Sequence, residues 1–163
     1  MEVWIRARRR CAIAWTMVAI AIATASWLLP TRLFLINQTP SAPAGVYWRV
    51  SGHAVPGAYL AFRAEGAGFD ALSRIGFELP TIPLLKPIAV GPGEQVCFVR
   101  DRWQLGGRRT IPLGDPHWRG IELPLWRDCR VLQADEYFVY SDRIPNSLDS
   151  RHFGPVTEAM VIG

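Results

Sequence analysis

Nineteen consecutive uncharged residues, 11–29, follow four arginines within the first ten residues, and no other stretch constrains this chain as strongly. At a rise of ~1.5 Å per residue the run makes a helix of roughly 28 Å, close to the hydrocarbon thickness of a bilayer. Pro30 and Arg32 end it. Arg6, Arg8, Arg9 and Arg10 against Glu2 give residues 1–10 a net charge of +3, so the +4 of the whole chain leaves only +1 for the other 153 residues. The positive-inside rule puts such a tail in the cytoplasm and everything beyond residue 29 on the far side. The sequence therefore predicts a basic tail over 1–10, a transmembrane helix over 11–29 and an extracytoplasmic domain over 30–163. A signal peptide cleaved after Ala23-Thr24-Ala25 is the rival reading. The apolar run continues past that site through Trp27, Leu28 and Leu29, which favours a retained anchor, and both readings export the body.

The body is near neutral and lacks the basic run that a nucleic-acid surface needs, so nucleic acid is not an expected partner. Thirteen prolines and fourteen glycines favour strands and turns over a helical bundle. Export puts Cys97 and Cys129 in an oxidising compartment, where a bridge closing a loop of about 33 residues contributes ~3–4 kcal/mol in the loop-entropy account. Two buried free thiols are the alternative. Cys11, at the cytoplasmic edge of the span, is expected to stay unpaired. No Cys or His residues stand at short ligand spacing, so neither a metal nor another cofactor is expected.

Residues 33–36, 46–50, 58–62, 84–90, 95–100 and 137–140 read as strands by apolar runs and alternation. Residues 64–76 hold one short helix, with Phe69, Leu72 and Ile75 near a helical period. Gly91-Pro92-Gly93-Glu94 is a turn, 141–154 a polar loop, and 156–162 a segment that closes the sheet. Residues 101–130 are rich in Arg, Gly, Pro and Trp and weakly periodic. They read as an inserted lobe or long hairpin, about 98–132, clipped at its base by Cys97 and Cys129. The expected fold is mainly β: one β domain with an inserted lobe, on a single N-terminal transmembrane helix.

Seventeen arginines stand against one lysine, Lys86. Arginine stays protonated in proteins, whereas a desolvated lysine need not. The setting Pro83-Leu84-Leu85-Lys86-Pro87-Ile88-Ala89-Val90 is apolar and suits a base, although a genome biased toward arginine codons leaves the same signature. Ser41 sits in Thr39-Pro40-Ser41-Ala42-Pro43-Ala44-Gly45, where prolines stiffen the backbone. An ordinary surface turn has the same composition. The third segment, 141–156, is dense in polar residues; Asp149 and Arg151 can form a charge pair, and Asn146 and Ser147 can bond backbone. By itself it is a solvated loop.

In this order the three segments resemble bacterial signal peptidases, most closely the TraF-type serine–lysine peptidases of conjugative transfer systems. Asn37, Thr39, Ser41, Pro43, Gly45 and Tyr47 match the nucleophile segment. Pro83-Leu84-Leu85-Lys86 and Gly91-Pro92-Gly93-Glu94-Gln95-Val96 match the lysine segment. Asn146-Ser147-Leu148-Asp149-Ser150-Arg151-His152-Phe153-Gly154-Pro155-Val156 matches the last box and is the most specific signal. The likeness runs from about residue 33 to the C-terminus and is loosest over 62–80 and 98–132. It implies Ser41 as nucleophile and Lys86 as general base. It also implies an oxyanion hole from the Thr39 hydroxyl and the Ser41 N–H, and Ser147 orienting Lys86. Asp142, Asp149 and Arg151 would shape the site. The implied location is the bacterial inner membrane, single pass, with the catalytic domain periplasmic. The implied substrate is an exported precursor protein with small residues before the cut, of pilin type in the TraF branch and in some cases cyclised.

Three positions depart from the pattern. Ala42 stands where general signal peptidases carry Met, which fits the conjugative branch. Pro87 stands where an Arg is common, and removes a donor, so an unpaired or bulged position is expected there. Ser141 replaces a frequent Gly, with no consequence legible in the sequence. Apolar burial among Leu84, Leu85, Ile88 and Val90 would lower the pKa of Lys86 and let it take the Ser41 proton, giving an acyl-enzyme. A general type I signal peptidase is the competing enzyme, and a non-catalytic anchored β module of a secretion apparatus is the competing class. His53, His117 and His152 raise a Ser–His–Asp alternative, but none sits in a nucleophile-elbow context, and all three read as surface or packing residues.

Overall fold

The computed structural model describes residues 15–21, 23–24, 33–50 and 54–163. The basic tail 1–10, much of the 11–29 span, Cys11, Ala25 and His53 lie outside the described residues. The chain divides into two compact units, 1–35 and 36–163. In the first, residues 15–21 and 23–24 are helical, and the Thr24 hydroxyl donates to the Ile20 carbonyl at 2.9 Å. Among the described residues no helix is long and apolar enough to cross a membrane.

From residue 34 onward the elements are β1 (Phe34–Asn37), β2 (Gly45–Trp48), β3 (Tyr59–Phe62), α1 (Ala67–Arg74), β4 (Leu84–Val90), β5 (Gln95–Val99), β6 (Arg102–Leu105), β7 (Arg109–Pro112), β8 (His117–Trp118), β9 (Ile121–Glu122), β10 (Cys129–Val131), β11 (Glu136–Val139), α2 (Ser150–Phe153), β12 (Val156–Thr157) and a 3-10 turn (Glu158–Met160). One antiparallel sheet has the order β12–β11–β4–β3 and a second β10–β5–β6–β7; β1–β2 and β8–β9 form two-stranded ribbons. The fold is mainly β, as the sequence predicts.

The first sheet is held by a core of Leu60, Phe62, Phe69, Leu72, Ile88, Val139, Phe153 and Val156. Burying a side chain of this size stabilises the fold by ~1.5–3 kcal/mol. The short helix α1 buries Phe69 and Leu72, three apart on one face. Asp70 in its first turn and Arg74 in its last complement the helix dipole. The C-terminal segment closes the sheet, though not as one strand. β12 pairs with β11 and the 3-10 turn intervenes. Val161 then bridges Phe62, with Ile162 N–H donating to Ala61 O at 2.8 Å. One short segment thus ties both edges of the sheet.

Residues 101–130 carry more regular structure than their weak periodicity implies: β6 and β7 form a hairpin, one of the two readings the sequence offered, and the short β8–β9 ribbon follows. β5 and β6 are joined by Arg100 and Asp101, both at positive φ (51° and 58°). A two-residue hairpin turn needs that conformation and is usually signalled by Asn-Gly or Asp-Gly, so Arg-Asp gave no signal. In β6, exposed Arg102 and Gln104 alternate with buried Trp103 and Leu105. These pack with Val96, Ile111 and Leu132 against Ala89, Val90, Phe138 and Tyr140, residues of the first sheet and its continuation. The second sheet already begins at Gln95, within the strand that follows the Gly91–Glu94 turn. Cys97 and Cys129 face each other across β5 and β10 and form a disulfide.

Pro87 lies inside β4, opposite Tyr59 of β3. Ile88 N–H donates to Ala58 O, so by alternation the missing donor of Pro87 points away from β3, toward β11. There Tyr140 N–H still donates to Pro87 O at 3.1 Å, and the register shifts between Val139, opposite Ile88, and Phe138, opposite Val90. The irregularity expected at Pro87 falls at Ala89, two residues further along.

Candidate active site

β4 carries Lys86 into the interior at 3 % exposure. Its Nζ donates to the Ser147 hydroxyl at 3.0 Å, and Ser147 is itself fully buried. Burial among apolar neighbours pulls the lysine pKa from 10.5 down to about 8. The negative charge of Asp149 opposes that shift and the positive charge of Arg151 adds to it. Relative to an ordinary lysine, a pKa near 8 raises the neutral fraction at neutral pH by about 300-fold.

Ser41 is buried in the turn between β1 and β2. Asn37, the last residue of β1, organises that turn: its Oδ1 accepts from the Thr39 N–H at 3.2 Å and the Thr39 hydroxyl at 2.7 Å, and its Nδ2 donates to the Ala42 and Pro43 carbonyls. The Ser141 hydroxyl donates to the Ser41 carbonyl, and Ser141 N–H donates to Asp149 Oδ2 at 3.2 Å. Asp149 caps α2 through the Arg151 N–H and meets the Arg151 guanidinium with both oxygens, at 2.8 and 2.9 Å. Arg151 also reaches the Ser147, Pro112 and Leu113 carbonyls at 3.3–3.4 Å. A continuous set of hydrogen bonds therefore runs from Ser41 through Ser141, Asp149, Arg151 and Ser147 to Lys86. Among the described residues no hydrogen bond joins Ser41 and Lys86 directly, and such contacts are often loose before substrate arrives.

The family model for signal peptidase, peptidase S26, matches residues 8–163. The chain belongs to that family. It is similar to two plasmid transfer proteins TraF of Escherichia coli. One is 28 % identical over 156 residues, covering 88 % of this chain and 85 % of the relative. The other is 25 % identical over 156 residues, covering 89 % and 85 %. A crystal structure of a signal peptidase I from Enterococcus faecalis aligns with 64 % of this chain and 90 % of its own, at 20 % identity and a TM-score of 0.36.

Within this signal peptidase fold, Lys86, Ser147, Asp149, Arg151 and the Ser41 backbone fall into one network. Asp142 does not join it. It is exposed, without a hydrogen bond or ion pair among the described residues, and lines a cavity of about 350 Å³ beside Pro87 with Arg109 and Arg143. The Thr39 hydroxyl proton is engaged by Asn37. His117 is exposed and bonded to Asp115; buried His152 bonds the Pro124 carbonyl, and burial lowers its pKa. Neither bonds a serine. Three residues acquire roles that the sequence left blank. Asn37 builds the turn, Ser141 supplies a hydroxyl that glycine would lack, and the Ser150 hydroxyl accepts the Val139 N–H at 2.9 Å, pinning α2 to β11. Asn37 and Ser150 lie within matched motifs and Ser141 departs from one, but the folded neighbours give them work.

Ser147→Ala removes the hydrogen bond to Lys86. A hydrogen bond to a charged group is worth ~1.5–3 kcal/mol, so kcat/KM should fall by roughly 10–150-fold. The far-UV spectrum should not change. Steady-state kinetics at wild-type activity would remove Ser147 from the machinery.

Proposed function

We propose that this chain is a membrane-anchored serine endopeptidase in which Ser41 attacks a peptide carbonyl and Lys86 takes its proton, forming an acyl-enzyme. The observation that carries this reading is the buried Lys86, held on Ser147 with its pKa near 8, at one end of a hydrogen-bond network whose other end is the Ser41 main-chain carbonyl. A neutral lysine at that depth is a competent base, and the same burial strengthens any donor facing a developing oxyanion.

The substrate class we propose is an exported precursor protein with small residues before the cut, of the pilin type handled in conjugative transfer. The likeness to plasmid transfer proteins TraF supports that choice over a general type I signal peptidase. An extended peptide needs a sheet edge. By the alternation set at Ile88, the Leu85 N–H and C=O point away from β3, and the last backbone bond on the β11 side is Tyr140 N–H to Pro87 O at 3.1 Å. That leaves a short receptive edge of β4 immediately before Lys86. Proximity to a membrane is supported by the β1–β2 ribbon and the residues after it, where Ile36, Val46 and Val50 are 61, 67 and 82 % exposed.

The test is co-expression with the pilin-like precursor encoded nearest to this chain, with the product weighed by mass spectrometry. Wild type should process it and Ser41→Ala should not. A product lighter by one water shows that the substrate's own amine resolves the acyl-enzyme. Equal processing by both forms would assign the work to another protease and favour a non-catalytic anchored module.

A further inference from the structure

Five consecutive carbonyls, from Thr39 to Pro43, each meet a side-chain donor. Asn37 Nδ2 reaches those of Thr39, Ala42 and Pro43 at 3.1, 3.1 and 3.0 Å. Arg143 Nε reaches that of Pro40 at 3.2 Å, the Ser141 hydroxyl that of Ser41, and the Tyr47 hydroxyl that of Pro43 at 2.8 Å. Loop carbonyls of this kind are ordinarily left to solvent. Holding all of them fixes the orientation of every peptide plane around Ser41. In a trans peptide the N–H points opposite to the C=O of the preceding residue. With Pro40 O held by Arg143, the Ser41 N–H is turned the other way, and among the described residues it meets no acceptor. Pro40 and Pro43 bring no N–H of their own, and that of Thr39 is taken by Asn37.

Three of the five carbonyls lie within bonding distance of the Asn37 amide, which shares its two protons among them; Asn37 is 5 % exposed and also accepts the Thr39 hydroxyl proton. We propose that Asn37 is a positioning residue for the oxyanion site: it sets the peptide planes that aim the Ser41 N–H and holds the Thr39 hydroxyl beside them. This rests on the serine–lysine reading and adds to it a residue that touches no substrate. A hydroxyl has one proton, so Thr39 donates either to Asn37 or to an oxyanion. When it turns to the oxyanion, Asn37 Oδ1 keeps the Thr39 N–H as a partner. The exchange leaves no buried group unpaired.

The test uses the full chain in membranes with its processed precursor and compares Asn37→Ala, Asn37→Asp, Thr39→Val and the Asn37→Ala/Thr39→Val double variant. Asn37→Ala should lower kcat by roughly 10–100-fold, short of the 10²–10³ lost with an oxyanion donor itself. KM should stay within about twofold, because the substrate's ground-state contacts are untouched. The double variant should lose less than the two single losses multiplied, since both variants act on the Thr39 hydroxyl while Asn37→Ala also frees the peptide planes. Asn37→Asp keeps the acceptor but sets an oxygen against three carbonyls, and should also lose kcat. It decides the matter where the alanine variant fails to fold. Wild-type kcat in either Asn37 variant, a change confined to KM and thermal midpoint, or losses that multiply in the double variant would overturn the proposal. An active Ser41→Ala would sink the serine–lysine reading. An inactive Ser41→Ala beside a fully active Asn37→Ala would sink the Asn37 proposal alone.

Discussion

Lys86→Arg should leave no measurable turnover although the positive charge is retained. Arginine cannot lose its proton in a protein, so it cannot accept one from Ser41. The loss should exceed 10³-fold, comparable to removing one member of a nucleophile–base pair, which costs about 10⁴–10⁶ in serine peptidases. The guanidinium is larger than the ammonium and Lys86 is 3 % exposed, so Lys86→Met is the companion variant. It fits the apolar surroundings, carries no base, and should be folded and equally inactive. Two pH measurements belong with it. In the wild type, kcat/KM should rise with pH toward about 8, where the lysine becomes neutral, and then level off. Stability should move too. The lysine pKa is depressed in the fold, so between about 8 and 10.5 the unfolded chain holds more protons than the native one, and stability should increase with pH across that window. Lys86→Met should lack that slope. An active Lys86→Arg would end the assignment of Lys86 as base.

Arg151→Met should cost about 3–5 kcal/mol of stability, the typical penalty for stranding one member of a buried ion pair. Asp149 is fully buried and Arg151 is 2 % exposed. The aspartate would keep its backbone donors from Ser141 and Arg151 but lose both guanidinium bonds. The Arg151 contacts to the Pro112 and Leu113 carbonyls would go as well, loosening the end of β7 from the last box. Asp149→Leu combined with Arg151→Met should be less damaging than the two single effects added, because no uncompensated charge remains. Denaturant unfolding of the three variants measures this directly, and additivity would show that the pair is not coupled.

Where apolar spacing was regular, the sequence was enough. β3, α1, β4 and β5 lie where the alternation and the helical period of Phe69 and Leu72 put them. The disulfide joins the two cysteines that the expected export of the body would pair. The second sheet was not legible beyond β5, because its turn residues Arg100 and Asp101 adopt a conformation that sequence assigns to glycine and asparagine. The short helix α2 was hidden because its buried residues include Ser150, Arg151 and His152, which read as surface. Burial of polar groups is a tertiary property: Asp149, the carbonyls of Pro112, Leu113 and Pro124, and the backbone of β11 make it tolerable. The candidate site divides in the same way. Ser41, Lys86 and the last box could be named from motifs, whereas the Ser141 bond to the Ser41 carbonyl, across a hundred residues, is one that no spacing reveals.

The second sheet has no seam at which to detach. Trp103, Leu105 and Ile111 share one apolar cluster with Val90 and Phe138, so the boundary suggested by the paired cysteines runs through the middle of a core and not between two cores. The disulfide therefore does not fence off a module. Melting should be a single cooperative event, and this sheet cannot be exchanged between relatives as a cassette. Change within it is confined to exposed positions, such as Arg102, Gln104 and Thr110, while the residues beneath stay fixed.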